Sequence, residues 1–120
     1  MIVVTNNKLV YEDIAESTKD TEVEFIDGTV KDVVFASREK VLDRFKLAAD
    51  PLAGRKARPN PYLSVVLEKR TEKYEAYHIL RLEKMLELFY KNEAAFTDMS
   101  KSLRSDFAII DHSLISSLID

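Results

Sequence analysis

Two clusters of polar residues carry what chemistry this sequence offers. The first is Thr5-Asn6-Asn7, directly after the apolar Ile2-Val3-Val4. Two carboxamides and a hydroxyl can orient a polar ligand, and a helix starting after Asn7 would offer its free first-turn amides to an anion. The same residues can instead turn the chain and cap that helix. The second cluster is the loop "ADPLAGRKARPNPY", residues 49–62, which holds all three prolines together with Asp50, Arg55, Lys56, Arg58 and Asn60. Arginine presents a planar donor fork that matches carboxylate or phosphate, and prolines restrict a loop so that ordering it around an anion costs less entropy. The competing reading is a solvated loop whose cations pair with nearby carboxylates. Thr5, Asn6, Asn7, Asp50, Arg55, Lys56, Arg58 and Asn60 are thus the candidate ligand-binding residues. The loop is not a Walker P-loop, because Gly54 is followed by Arg55 and no Gly-Lys-Ser/Thr is present.

Residues for acid–base or nucleophilic chemistry are scarce, and no catalytic residue is identified. His78 falls in an amphipathic helix and His112 beside Asp111, and neither has a sequence neighbour that makes a nucleophile–base pair. Both read as structural or surface histidines. Glu72, Glu75, Glu83 and Glu87 read as a solvated helix face, and Asp27, Asp50 and Asp111 sit at element ends, where capping explains them as well as metal binding would. With no cysteine and two unclustered histidines, no metal site, disulfide or cofactor is implied.

The wider composition sets the class. At 120 residues with 46% hydrophobic and 32% charged, the chain suits one ordered α/β domain over residues 1–120. A net charge of −3 argues against nucleic acid or an anionic membrane surface as partner. No apolar run approaches the roughly 20 residues that span a bilayer, and Met1 to Thr5 is too short for a signal peptide, so a cytoplasmic location is expected.

These clusters need elements to hold them. The consecutive β-branched Ile2, Val3 and Val4 predict a strand over 1–5, buried on both faces, and Leu9, Val10 and Ile14 a short helix over 8–16 capped by Asn7. A second strand is expected at 22–26, closed by Asp27-Gly28. Thr29 and Asp32 have capping-box spacing, and Val30, Val34, Val41, Phe45 and Ala48 then predict one helix running to Ala49 before Pro51. Tyr62 to Leu67 predicts a third strand, and Thr71 to Ala95 a long helix with Tyr74, Tyr77, Leu82, Met85, Leu86 and Phe89 on one side. Leu103, Phe107, Ile110, Leu114 and Leu118 favour a final helix, although "FAIID" at 107–111 also suits a short strand. Strands alternating with helices predict a small three-layer α/β fold with a three- or four-stranded, mostly parallel sheet flanked by helices. In that arrangement the two polar clusters share one site only if the third strand is antiparallel or the loop folds back. Leu114, Ile115, Leu118 and Ile119 crowd the C-terminal end, where they pack into the core or make a homodimer face.

"VTNNKLV", "DPLAGRKARPNPYLSVVLEK" and "DFAIIDHSLISSLI", in that order, resemble the GrdX family over nearly the whole chain. That family typically has Pro after the asparagine pair, where this sequence has Lys8. Its middle motif commonly begins His-Pro-Leu, where Asp50-Pro51-Leu52 stands here with altered spacing before Pro61-Tyr62. The resemblance implies a protein encoded alongside glycine, sarcosine and betaine reductase components, near a selenium-dependent system that makes acetyl phosphate. It assigns no reaction. The favoured expectation is a non-catalytic accessory protein that binds a small anion or a reductase component. The alternative is a small enzyme acting on a phosphorylated or carboxylated metabolite.

Overall fold

The computed structural model describes residues 1–17, 20–53, 59–69 and 76–119. Its elements are β1 (Ile2–Thr5), α1 (Lys8–Ser17), β2 (Glu22–Phe25), α2 (Val30–Leu42), β3 (Phe45–Leu47), β4 (Ser64–Lys69), α3 (Ala76–Thr97) and α4 (Lys101–Ile119). The fold is α/β. The strands form one sheet in the order β2-β1-β4-β3. β1 and β4 are central, which is why their apolar residues run consecutively: successive side chains point to opposite faces, and both faces are covered. Val4, Val65 and Leu67 enter a core cluster with Val30, Val33 and Val34 of α2 and Leu82, Met85 and Phe89 of α3. Val3 and Val66 enter a second cluster with Val10 and Ile14 of α1 and Ile115 of α4.

The expected mostly parallel sheet is corrected. Only β1 and β2 pair in parallel, while β4 is antiparallel to both β1 and β3. The cause is a strand that helical periodicity conceals. Phe45 continues the stripe of Val34 and Val41, yet α2 ends at Leu42 and the chain reverses through Asp43 and Arg44, the latter with φ of 71°. Phe45 and Leu47 then follow strand spacing, and Leu47 pairs with Leu67. β1, β2 and β3 therefore run in one direction, as strand–helix alternation requires. β4, reached from β3 by a loop rather than a crossover helix, inserts between β1 and β3 against that direction.

The other boundaries follow local chemistry. The Thr29 amide donates to the Asp32 carboxylate at 2.9 Å, the expected reciprocal bond at the start of α2. α3 keeps Leu82, Met85 and Phe89 buried and extends past Ala95 to bury Phe96, whereas Tyr77 is exposed. The predicted beginning of this helix, residues 71–75 with Tyr74, lies outside the described residues. Ser100 starts α4, its hydroxyl accepting the Leu103 amide at 3.2 Å. "FAIID" is helical throughout.

Candidate functional site

The antiparallel placement of β4 decides which polar residues meet. Because β4 begins where β1 ends, Thr5 pairs with Ser64, and residues 60–63 arrive beside Asn6. The 5–7 segment and the end of the proline loop thus lie together, under the condition that sequence reading required. Asp50 and the loop's cations are separate matters.

Asn6 ties the two segments. Its Oδ1 accepts the Leu63 amide at 2.9 Å, and its Nδ2 donates to the carbonyls of Pro61 and Gly28, each at 3.1 Å. Asn60 does the same for the next layer: its Oδ1 accepts the Tyr62 amide at 2.8 Å and its Nδ2 donates to the Phe107 carbonyl of α4 at 2.9 Å. Asn7 caps α1, with Oδ1 accepting the Leu9 amide at 3.1 Å. Its Nδ2 donates to the Ala108 carbonyl at 2.9 Å and to Asp111 Oδ2 at 3.0 Å.

These bonds close a ring. The Asn7 amide donates to Thr5 Oγ1 at 3.0 Å, the hydroxyls of Thr5 and Ser64 are 2.7 Å apart, and Ser64 Oγ donates to Asp111 Oδ2 at 2.7 Å. Asp111 returns the chain of bonds to Asn7. Asp111 is fully buried, as are Thr5, Asn7 and Ser64. A buried carboxylate is tolerated only where it is well hydrogen-bonded, and here it joins the sheet, α1 and α4. The reading of Asp111 as an end-of-element cap is corrected: it stands inside α4, held by tertiary partners. Sequence reading also passed over Ser64. A single carboxylate amid Phe107, Ile109, Ile110 and Ile115, on a helix otherwise apolar there, was the available signal.

Asp50 lies away from this ring. Its Oδ1 accepts the Leu52 amide at 3.0 Å, and its carboxylate takes both Nε and Nη2 of Arg81 on α3. That hydrogen bond pushes the Arg81 guanidinium above its ordinary pKa, with the Asp50 charge adding to it and partial burial opposing it. Arg55, Lys56 and Arg58 lie outside the described residues. His78 accepts the Leu47 amide at 3.3 Å, and His112 Nε2 sits 2.7 Å from Asp13 Oδ2, so both rings join elements.

Beside the ring, at the carboxyl ends of β1 and β2, lies an open depression of ≈ 510 Å³ lined by Asn6, Asn7, Lys8, Tyr62, Lys101 and Arg104, among others. This is where ligands gather in open α/β sheets. Three cations border it, with Asp27 as the carboxylate on its rim. α1 begins at its edge. Thr5 takes the Asn7 amide and Asn7 the Leu9 amide, leaving those of Lys8 and Val10 without an intrahelical acceptor by helix geometry. Arg104 donates to the Phe96 carbonyl, which fixes its head without neutralising it. Lys101 and Arg104 were not singled out in the sequence, and Lys8 stood out there only as a departure from the family pattern, not as a site residue. The i, i+3 spacing of Lys101 and Arg104 in the first turn of a helix with no other lysine or arginine was the trace they left. A second depression, lined by Leu52, Arg81, Lys84, Glu87, Leu88 and Lys91, has its Arg81 and Lys84 in ion pairs with Asp50 and Glu87. Among the described residues no group of three or more His, Asp or Glu side chains is placed to hold a metal ion, and no helix is long and apolar enough to cross a membrane.

No curated protein and no solved structure matches the chain. The family model of GrdX-like proteins matches residues 2–120, which takes in both polar segments, the ring and the cationic depression. The chain belongs to the GrdX-like family.

Proposed function

We propose that the protein is a cytoplasmic, non-catalytic accessory protein of glycine reductase systems that binds a small carboxylate or phosphate anion in the depression at the carboxyl end of β1. The observation that carries this reading is the convergence of Lys8, Lys101 and Arg104 with the first turn of α1, on a chain whose net charge is −3. Membership of the GrdX-like family associates the chain with those systems. Cations and free amides at a helix start favour an anion for the same electrostatic reason. In this reading Thr5, Asn6, Asn7 and Asn60 act mainly as the frame: their side chains already hold protein partners, and they present the α1 amides and Lys8 at a set position. Arg55, Lys56 and Arg58, from the same proline loop, remain proposed contributors of positive charge.

Thermal melting in the presence of inorganic phosphate, acetyl phosphate, acetate and glycine tests it. An anion present at 100 times its Kd stabilises by about 2.7 kcal/mol, and Lys8→Ala combined with Lys101→Ala should abolish that rise while leaving the melting point without anion unchanged. The absence of any anion-dependent rise would remove the ligand reading. Pull-down with purified reductase subunits then asks whether the occupant is a protein of that system.

A further inference from the structure

The start of β4 has one edge with no strand facing it. Successive residues of a strand turn their amide and carbonyl to opposite neighbours, and two bonds fix the phase here. The Asn6 amide donates to the Leu63 carbonyl at 3.4 Å, and the Ala48 amide to the Val66 carbonyl at 2.8 Å. Leu63 and Val65 therefore turn to β1, and Ser64 and Val66 to the β3 side. β3 ends at Leu47, opposite Leu67, so the residue in register with Ser64 is Asp50. Asp50 instead begins a turn, its carbonyl taking the Ala53 amide at 3.1 Å. Among the described residues nothing bonds the backbone N–H or C=O of Ser64, although Ser64 is only 2% exposed.

Buried backbone groups without a partner are rare, because each forfeits the bond it made to water. These two border a cavity of ≈ 190 Å³ that Ser64, Val65 and Val66 line in succession. The side chains of Val65 and Val66 enter opposite faces of the sheet, so a wall of consecutive residues is the strand's edge and not one of its faces. The other walls are mostly apolar, with Pro51 and Ala53 from the turn and Leu114, Ile115 and Leu118 from α4. Asp50 and Ser117 also line it, the first held by Arg81 and the second donating to the Leu114 carbonyl at 2.9 Å.

We propose that this cavity binds one aliphatic residue of an extended peptide, paired with Ser64 as a continuation of the sheet beyond β3. The Ser64 carbonyl needs an N–H and its amide needs a C=O, and a single extended residue opposite supplies both. A water would pair with these groups but leave the α4 wall uncovered, whereas a branched side chain fills it; an aliphatic cavity of about 150 Å³ already accepts benzene. No lysine or arginine is among the described lining residues, so a carboxylate would enter without a counter-charge, and a neutral amide is favoured over a free amino acid. One paired residue is the limit, since Ala48 holds the next position at Val66. The cavity shares no described lining residue with the cationic depression.

Amide proton–nitrogen correlation spectra of the full chain, titrated with N-acetyl-leucine N-methylamide at millimolar concentrations, test this. The Ser64 amide should shift downfield to saturation, with Leu114 and Leu118 following and Lys8 and Lys101 unmoved. N-acetylglycine N-methylamide lacks the aliphatic side chain and should bind more than about tenfold more weakly. The ester in which oxygen replaces the leucine N–H keeps the shape, loses one hydrogen bond and should bind about fivefold more weakly. Leu118→Asp, at a half-exposed position, should keep the fold and lose the binding. No saturation, saturation without a Ser64 shift, equal binding of the ester or the glycine compound, tighter binding of free leucine, or undiminished binding by folded Leu118→Asp would each overturn the proposal. If Leu118→Asp does not fold, the probes on the unaltered chain decide.

Discussion

Asn7 Nδ2 donates to Asp111 Oδ2 at 3.0 Å across 104 positions of sequence, joining the cap of the first helix to the interior of the last. The other members of the ring meet at the same two residues: Ser64 donates to the same oxygen, and Thr5 bridges Ser64 to the Asn7 amide.

Asp111→Ala opens a void and removes the acceptor that Asn7 Nδ2 and Ser64 Oγ share, leaving the first with the Ala108 carbonyl and the second with the Thr5 hydroxyl. Hydrogen bonds to charged groups contribute about 1.5–3 kcal/mol, so a loss of about 3 kcal/mol is expected, read as a lower urea midpoint at unchanged slope. Ser64→Ala alone should cost about 1–2 kcal/mol. The double variant should cost less than the sum, with a coupling of at least about 0.5 kcal/mol, because both side chains serve one oxygen. Strict additivity would mean that the ring is not a unit.

Asn6→Asp preserves shape and removes both donors. The new carboxylate would face the carbonyls of Gly28 and Pro61, three acceptors with no proton between them. The expected loss is about 2–4 kcal/mol near neutral pH, falling as the solution is acidified and the carboxyl becomes protonated. Urea unfolding at two pH values measures the difference, and an acid-independent loss would contradict this account of it.

Arg81 and Asp50 are partly exposed, with 25% and 35% of their side chains accessible. Arg81→Lys should lower the melting point because ammonium cannot reproduce the two-pronged contact, and the difference should shrink as salt is added. The upward shift of Arg81 means its contribution is fully present below the ordinary guanidinium pKa and is lost only as pH rises through the still higher folded value. Melting curves between neutral and mildly alkaline pH should therefore show no change in the Arg81→Lys difference.

Two substitutions should stabilise. Ser37 Oγ is buried with no hydrogen-bond partner among the described residues, and Ser37→Ala is expected to raise stability by about 1 kcal/mol. Arg44 holds φ of 71°, a region where a Cβ is strained. Arg44→Gly should be neutral to stabilising by up to about 1 kcal/mol, with Arg44→Val clearly worse at the same site, by chemical denaturation.

How much of this was legible depended on whether a residue's role is local. Asn7 as a cap, the Thr29 and Asp32 pairing, and the buried run of Val3 and Val4 all express short-range geometry, and each appears where the sequence put it. Phe45 misled because it obeys helical spacing as well as strand spacing, and only its pairing with Lys69 across β4 separates the two. Asp111 misled for a deeper reason: a carboxylate inside a helix is made acceptable by Thr5, Asn7 and Ser64, partners that no local window contains. The same holds for the cationic depression, where Lys8 and Arg104 come together only because α1 and α4 share one face of the sheet.

The ring also orders events in time. Until α4 has left the ribosome, Asn7 and Ser64 have no carboxylate to bind, and the cluster around Val10, Ile14 and Val66 lacks Ile115. Closing a loop of that length is slow compared with forming any single element. α2, α3 and the sheet can assemble around their own cluster, but the α1 side waits for α4. A chain lacking α4 would carry Asn7 and Ser64 without their carboxylate at the sheet's surface, so α4 is the piece that closes the α1 side of the fold.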